Sequence, residues 1–155
     1  MYKAKLEISK QKWDELISQL KKRGNGTNES GAFLLAKPDS NVIMDFVCYD
    51  ELDPTCYDSK IIIFKTAGYR LLWQYCTANT LTVVADVHTH PHRWAGQSLA
   101  DMQHPMILQK GHIAMIVPNY AQTKIKSLRG VGVYEYQGDN EWKTCVIKSK
   151  TILIK

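Results

Sequence analysis

The stretch "VHTHPHRWAGQSLAD", residues 87–101, gathers His88, His90 and His92 within five positions and then sets Ser98 three positions before Asp101. Imidazole and carboxylate are ligand types that zinc takes from proteins. His88 and His90 close the run "LTVVADVHTH", a mostly apolar strand suited to the centre of a sheet. Side chains two apart on a strand share a face, so both imidazoles can meet one ion. Histidine pairs also stand at exposed strand ends with no metal, and the pair alone does not choose between these.

Ser98-Leu99-Ala100-Asp101 has the spacing of a helix capping box, which is a sufficient reason for both polar residues. A carboxylate in the first turn of a helix can also point beyond the helix end. If the chain reverses across "PHRWAGQ", Asp101 reaches the histidine pair. Two imidazoles and one carboxylate leave a fourth position open, the ligand count of a catalytic zinc site, whereas structural sites are closed by four protein ligands. Zinc so held lowers the pKa of its water and polarises a carbonyl. Hydrolysis then needs a general base. Neither H-E-x-x-H nor the deaminase pattern H-x-E with P-C-x-x-C is present. The candidates elsewhere are Glu29, Asp45, Glu51 and Asp86.

The elements that must position these groups follow from periodicity. "KAKLEIS" alternates as a short strand, and Ser9 caps a helix over "KQKWDELISQLKK" whose Trp13, Leu16, Ile17 and Leu20 form one apolar stripe. "AFLLAK" and "NVIMDFVCY" read as a hairpin across "PDS". "KIIIFK" reads as a short strand, and "AGYRLLWQYCTANT" as a helix burying Leu71, Leu72 and Tyr75. "SLADMQHPMILQK" begins as a helix that Pro105 must kink or restart. "GHIAMIVP" is a strand, "GVGVYEYQGDNEWKTCVI" a hairpin turning at Gly138-Asp139-Asn140, and "TILIK" an edge strand or a tail. The expected fold class is α/β: a single mixed β-sheet flanked by helices.

A chain of 155 residues is expected to be one domain, 1–155, with 45% hydrophobic and 23% charged residues in the ordinary globular range. No apolar run reaches membrane-spanning length, and the start lacks the apolar segment of a secretory signal, so a cytoplasmic location is expected. Cys48, Cys56, Cys76 and Cys145 form no C-x-x-C pair and read as free thiols. The net charge of +5 comes without a basic stripe interleaved with aromatics, which disfavours nucleic acid as the partner.

"HTHPHRWAGQSLAD" is H-x-H-P, six residues, then S-x-x-D, and it resembles the signature of the JAMM (Jab/MPN+) zinc metalloproteases without a gap. That family has a glutamate upstream, just before a strand and followed by small residues. "NESGAFLLA" fits, which selects Glu29, although Ser30 stands where glycine is common. The resemblance implies a JAMM/MPN-like fold and one Zn2+ per chain held by His88, His90 and Asp101. It implies that Glu29 holds and deprotonates the attacking water, and that Ser98 donates a hydrogen bond to the oxyanion. It implies hydrolysis of a peptide or isopeptide bond after the C-terminal tail of a ubiquitin-like protein, in a compact, deubiquitinase-like enzyme. Such a tail is extended and could add as a strand to a sheet edge. The alternatives are a non-catalytic MPN-type scaffold and a RadC-like nucleic-acid-associated protein. His92 reads as a spectator, a substrate contact or a competing ligand. Asp86 shares the parity of the pair and either orients a histidine or faces a polar edge. Trp94 either packs on substrate or stiffens its own loop. His104 and His112 read as surface or satisfied histidines.

Overall fold

Strand β1 (Leu6–Ile8) runs into helix α1 (Lys10–Gly24), where the Ser9 hydroxyl accepts the Lys12 N–H at 3.1 Å. That bond satisfies one of the donors a helix start leaves open. Trp13, Leu16, Ile17 and Leu20 are buried as the stripe requires, and Asn25 ends the helix in the left-handed region. The computed structural model describes residues 3–155.

The chain continues through β2 (Gly31–Ala36), β3 (Val42–Cys48), the short helix α2 (Tyr49–Leu52), helix α3 (Thr66–Asn79) and β4 (Thr82–Thr89). Helix α4 (Leu99–Gln103), β5 (Ile113–Val117), β6 (Gly132–Gly138), β7 (Glu141–Thr144) and β8 (Ile152–Ile154) follow. The strands form one mixed sheet in the order β7-β6-β5-β4-β2-β3-β1-β8. β4 lies at its centre, antiparallel to β2 and parallel to β5. The β6–β7 hairpin turns on Asp139 and Asn140, both with positive φ, as a two-residue turn demands. "TILIK" supplies β8, an edge strand parallel to β1.

Alternation divides the sheet into two faces. Ala32, Leu34, Ala85, Val87, Met115 and Val133 pack with the α1 stripe. Phe33, Leu35, Val47 and Tyr49 pack with Leu72 and Cys76 of α3. Cys48, Cys56 and Cys76 are buried free thiols, and Cys145 is partly exposed. No described helix is long and apolar enough to cross a membrane.

Three expectations for the α3 side are corrected. "KIIIFK" joins no strand ladder. Both flanks of β2 are occupied by β3 and β4 and the sheet's edges lie elsewhere, so this β-branched run finds no free partner. Instead Ile61 and Ile63 stay 57% and 51% exposed. Helix α3 buries Gly68, Leu72 and Cys76, a narrow stripe at four-residue spacing. Leu71 falls outside it at 46% exposure, and Tyr75 is half-buried with its hydroxyl donating to Asp45. Helix α4 ends at Gln103 and does not restart after Pro105.

Candidate metal centre

The centre is built where β4 runs out. His88 and His90 face the α3 side of the sheet, while Thr89 between them points to the α1 side and is fully buried. The Thr89 hydroxyl oxygen accepts the Ser30 N–H at 2.9 Å, and the Thr89 N–H donates to the Ser30 carbonyl at 2.9 Å. The Ser30 hydroxyl in turn donates to the Leu20 carbonyl of α1 at 2.8 Å. The serine that replaces a common glycine thus ties the start of β2 to the end of β4, and Glu29 comes with it. Gly31 is required by close approach: a Cβ there would lie 2.3 Å from the Tyr49 ring and 2.7 Å from the Val87 carbonyl oxygen.

The loop after β4 folds back across the sheet. Tyr134 donates to the Ala95 carbonyl at 2.8 Å, and the Trp142 indole N–H to the Met102 carbonyl at 3.1 Å. These two bonds hold the loop and α4 over the strand ends. Ser98 caps α4: its hydroxyl accepts the Asp101 N–H at 3.1 Å, and Asp101 Oδ2 accepts the Ser98 N–H at 2.9 Å. The carboxylate that closes the capping box therefore also faces the histidines, because the box orients Asp101 toward them.

His88 Nε2 and His90 Nε2 stand 3.1 Å apart, with His90 Nε2 3.1 Å from Asp101 Oδ2 and His88 Nε2 3.2 Å from Asp101 Oδ1. Ligands on a zinc tetrahedron with bonds of about 2.0 Å are separated by about 3.3 Å. The separations are close to that edge length, and the three residues are the one such group able to hold a metal ion among the described residues. Burial works against protonation of His88, but its hydrogen bond to Asp101 and the Asp101, Asp86 and Glu29 carboxylates outweigh this and raise its pKa. Burial would raise the Asp101 carboxyl, yet hydrogen bonds from both imidazoles and the Ser98 N–H hold it far below the usual carboxylate range. Asp101 is thus held in the deprotonated form that metal ligation requires, whereas the raised His88 pKa means that a bound metal would displace a proton there.

Glu29 lines the same cavity as His88, His90 and Asp101. Burial raises its pKa above the ordinary value, against the neighbouring imidazoles and a hydrogen bond from the Ile62 backbone that lower it. Of the other base candidates, Asp45 accepts from Tyr75, and Glu51 accepts the Cys48 N–H. Neither lines the cavity.

Asp86 orients neither His88 nor His90. It is buried and pairs with His112, Nε2 to Oδ2 at 2.7 Å. His112 is thus a satisfied histidine and not a surface one. Parity finds the pair only once the register is known: Asp86 lies opposite Ala114, and His112 shares the parity of Ala114. His92 is exposed and outside the ligand group. Trp94 is 62% exposed yet covers Gly96, where a Cβ would meet the indole at 2.3 Å. The indole thus packs on its own loop while most of the residue stays exposed.

No protein family's sequence profile matches the chain. Solved structures do resemble it. A JAB1/MPN domain protein from Archaeoglobus fulgidus aligns over 97% of this chain and 100% of its own, at 14% identity and TM-score 0.51. A protein of Desulfitobacterium hafniense aligns over 97% of this chain and 92% of its own, at 12% identity and TM-score 0.63. One from Salinibacter ruber aligns over 91% and 88%, at 17% identity and TM-score 0.55. The chain has a JAB1/MPN-like fold, and on that fold His88, His90 and Asp101 form a group able to bind a metal ion.

Proposed function

We propose that the protein is a zinc-dependent peptidase or isopeptidase acting after the C-terminal tail of a ubiquitin-like protein. The observation that carries this reading is the convergence of two Nε2 atoms and a carboxylate at 3.1–3.2 Å in a cavity that Glu29 and Ser98 also line. Zinc bound there supplies an acidified water and a Lewis acid for the carbonyl. Glu29, desolvated and basic for a carboxylate, takes the proton from the attacking water and returns it to the leaving amine. The Ser98 hydroxyl receives the Asp101 N–H, so its own hydrogen is left to donate to the carbonyl oxygen as charge develops. Ile61, Ile63 and Trp94 give the cavity an exposed apolar rim against which an extended tail can lie. The segment offered to that tail is this one, outside any ladder, and not an edge of the sheet.

The test pairs metal analysis with cleavage of ubiquitin-like fusions by protein purified without chelator. One zinc per chain, lost in His88→Ala, is expected. Glu29→Gln is expected to keep the zinc and to lose about 10²–10⁴-fold in cleavage rate. A chain that takes up no zinc, or a Glu29→Gln variant that cleaves at full rate, overturns the reading.

A further inference from the structure

The cavity extends well past the metal ligands. Its volume is about 730 Å³, and its lining includes Tyr49, Phe64, Tyr69, Asp86 and, opposite Asp86 in the register, Ala114. Asp86 precedes His88 by two residues on the same face of β4, which sets the inner wall about 7 Å along the strand from the ligand. Water activation and carbonyl polarisation use none of these residues.

Two polar groups there have unused capacity. The Tyr49 hydroxyl is buried and is the one such side-chain atom without a hydrogen-bond partner among the described residues. Leaving a buried hydroxyl unpaired is costly, so the group that pairs with it gains what the fold alone does not provide. Asp86 gives one oxygen to His112 and accepts nothing from the described chain on the other. Around them stand aromatic faces: Tyr49 and Phe64 have ring centroids 5.5 Å apart, and Phe64 and Tyr69 4.8 Å.

The charges lining the cavity decide what fits. Glu29, Asp86 and Asp101 line it, and no lysine or arginine does. Asp101 and Glu29 are assigned to the metal and its water in the reading above, which leaves Asp86 as the inner carboxylate. An apolar stem ending in a cationic hydrogen-bond donor matches aromatic walls, a free carboxylate oxygen and a phenol oxygen.

We infer that the inner end of the cavity is a specificity pocket for a lysine-like side chain on the substrate, adjacent to the scissile bond, with Tyr49 and Asp86 receiving its ammonium. The inference rests on the hydrolase reading for its consequence in turnover, but binding in the pocket does not need cleavage. The test is calorimetric titration of the zinc-loaded protein with Nα-acetyl-lysine methylamide, beside the norleucine and glutamate methylamides. The lysine amide is expected to bind at least about tenfold more tightly than either analogue, the discrimination a charge-assisted hydrogen bond supplies. Tyr49→Phe is expected to weaken lysine binding about fivefold while leaving the thermal midpoint unchanged or higher, because it deletes an unpaired hydroxyl. Asp86→Asn is expected to weaken it further, and Tyr49→Phe keeps the test valid if loss of the His112 partner unfolds that variant. Equal binding of lysine and norleucine amides, preference for glutamate, or unchanged lysine affinity in Tyr49→Phe each overturn the pocket. Selective lysine binding with no cleavage of any fusion leaves the pocket standing and removes the hydrolase reading instead.

Discussion

The two faces of β4 share eight residues of backbone and differ in almost everything else. On the α1 side, Ala85, Val87 and Thr89 are fully buried, and the one polar group among them bonds to Ser30. On the α3 side, Asp86 and His88 line a large cavity, with an unpaired phenol in its wall. One face is close-packed and apolar but for Thr89. The other pairs its polar groups with one another, Asp86 with His112 and His88 with Asp101, beside open space. The contrast shows a division of work within one strand: the packed face fixes where the backbone lies, and the open face uses that rigidity to hold imidazoles and carboxylates at set distances.

Breaking the open face should cost ligand binding before it costs stability. Asp101→Ala is expected to weaken zinc binding by more than the ~100-fold that loss of an outer-shell partner typically causes, read by competition with a chromophoric chelator. Full zinc occupancy in that variant would make Asp101 a helix cap alone. Breaking the packed face should do the reverse. Thr89→Val keeps the shape but strands the Ser30 N–H, and a loss of about 1–3 kcal/mol in urea unfolding is expected. Unchanged stability would mean the Ser30 tie does not fix β2 against β4.

The smallest effect sharpens the comparison at the cavity wall. Buried Asp53 accepts the Lys65 and Thr55 N–H groups and the Thr55 hydroxyl, and so anchors both ends of the loop that carries Ile61–Phe64. Burial alone would raise its pKa, but these hydrogen bonds and the Lys65 charge lower it. A folded pKa below the unfolded value gives stability present above about pH 4 and lost as pH falls through the folded value. The stability gap between wild type and Asp53→Asn is therefore expected to narrow as pH drops from 6 to 3. A gap that stays constant over that range would show that the anchor does not depend on the carboxylate's charge.

What the sequence made legible follows the same division. The α1 stripe, the hairpins and β4 were readable because each depends on periodicity within one segment. Strand parity made His88 and His90 readable as a pair and the capping box placed Asp101 at a helix start, but joining the three needed the resemblance to the JAMM signature, because the loop between them has no local rule. The Asp86–His112 pair and the Tyr49 hydroxyl were not readable, since each depends on which strand or ring lies beside it. "KIIIFK" misled for the same reason. Its β-branched run is strand-like by composition, but a strand needs a vacant neighbour, and the order of the sheet leaves none there.

One feature away from the ligands bears on how such a chain can change. Asn119, Tyr120 and Ala121 all have φ between 52° and 58°, and the N–H groups of Asn119 and Tyr120 hold the His92 and His90 carbonyls at 2.9 and 2.8 Å. Left-handed backbone costs a non-glycine residue about 1–2 kcal/mol. Three in succession take a sizeable share of the 5–15 kcal/mol that separates a folded domain from its unfolded ensemble. Selection for stability alone would favour glycine here. The chain instead keeps a strained turn bonded to the carbonyl of His90, so on the proposed reading it gives up stability to fix one member of the candidate metal group.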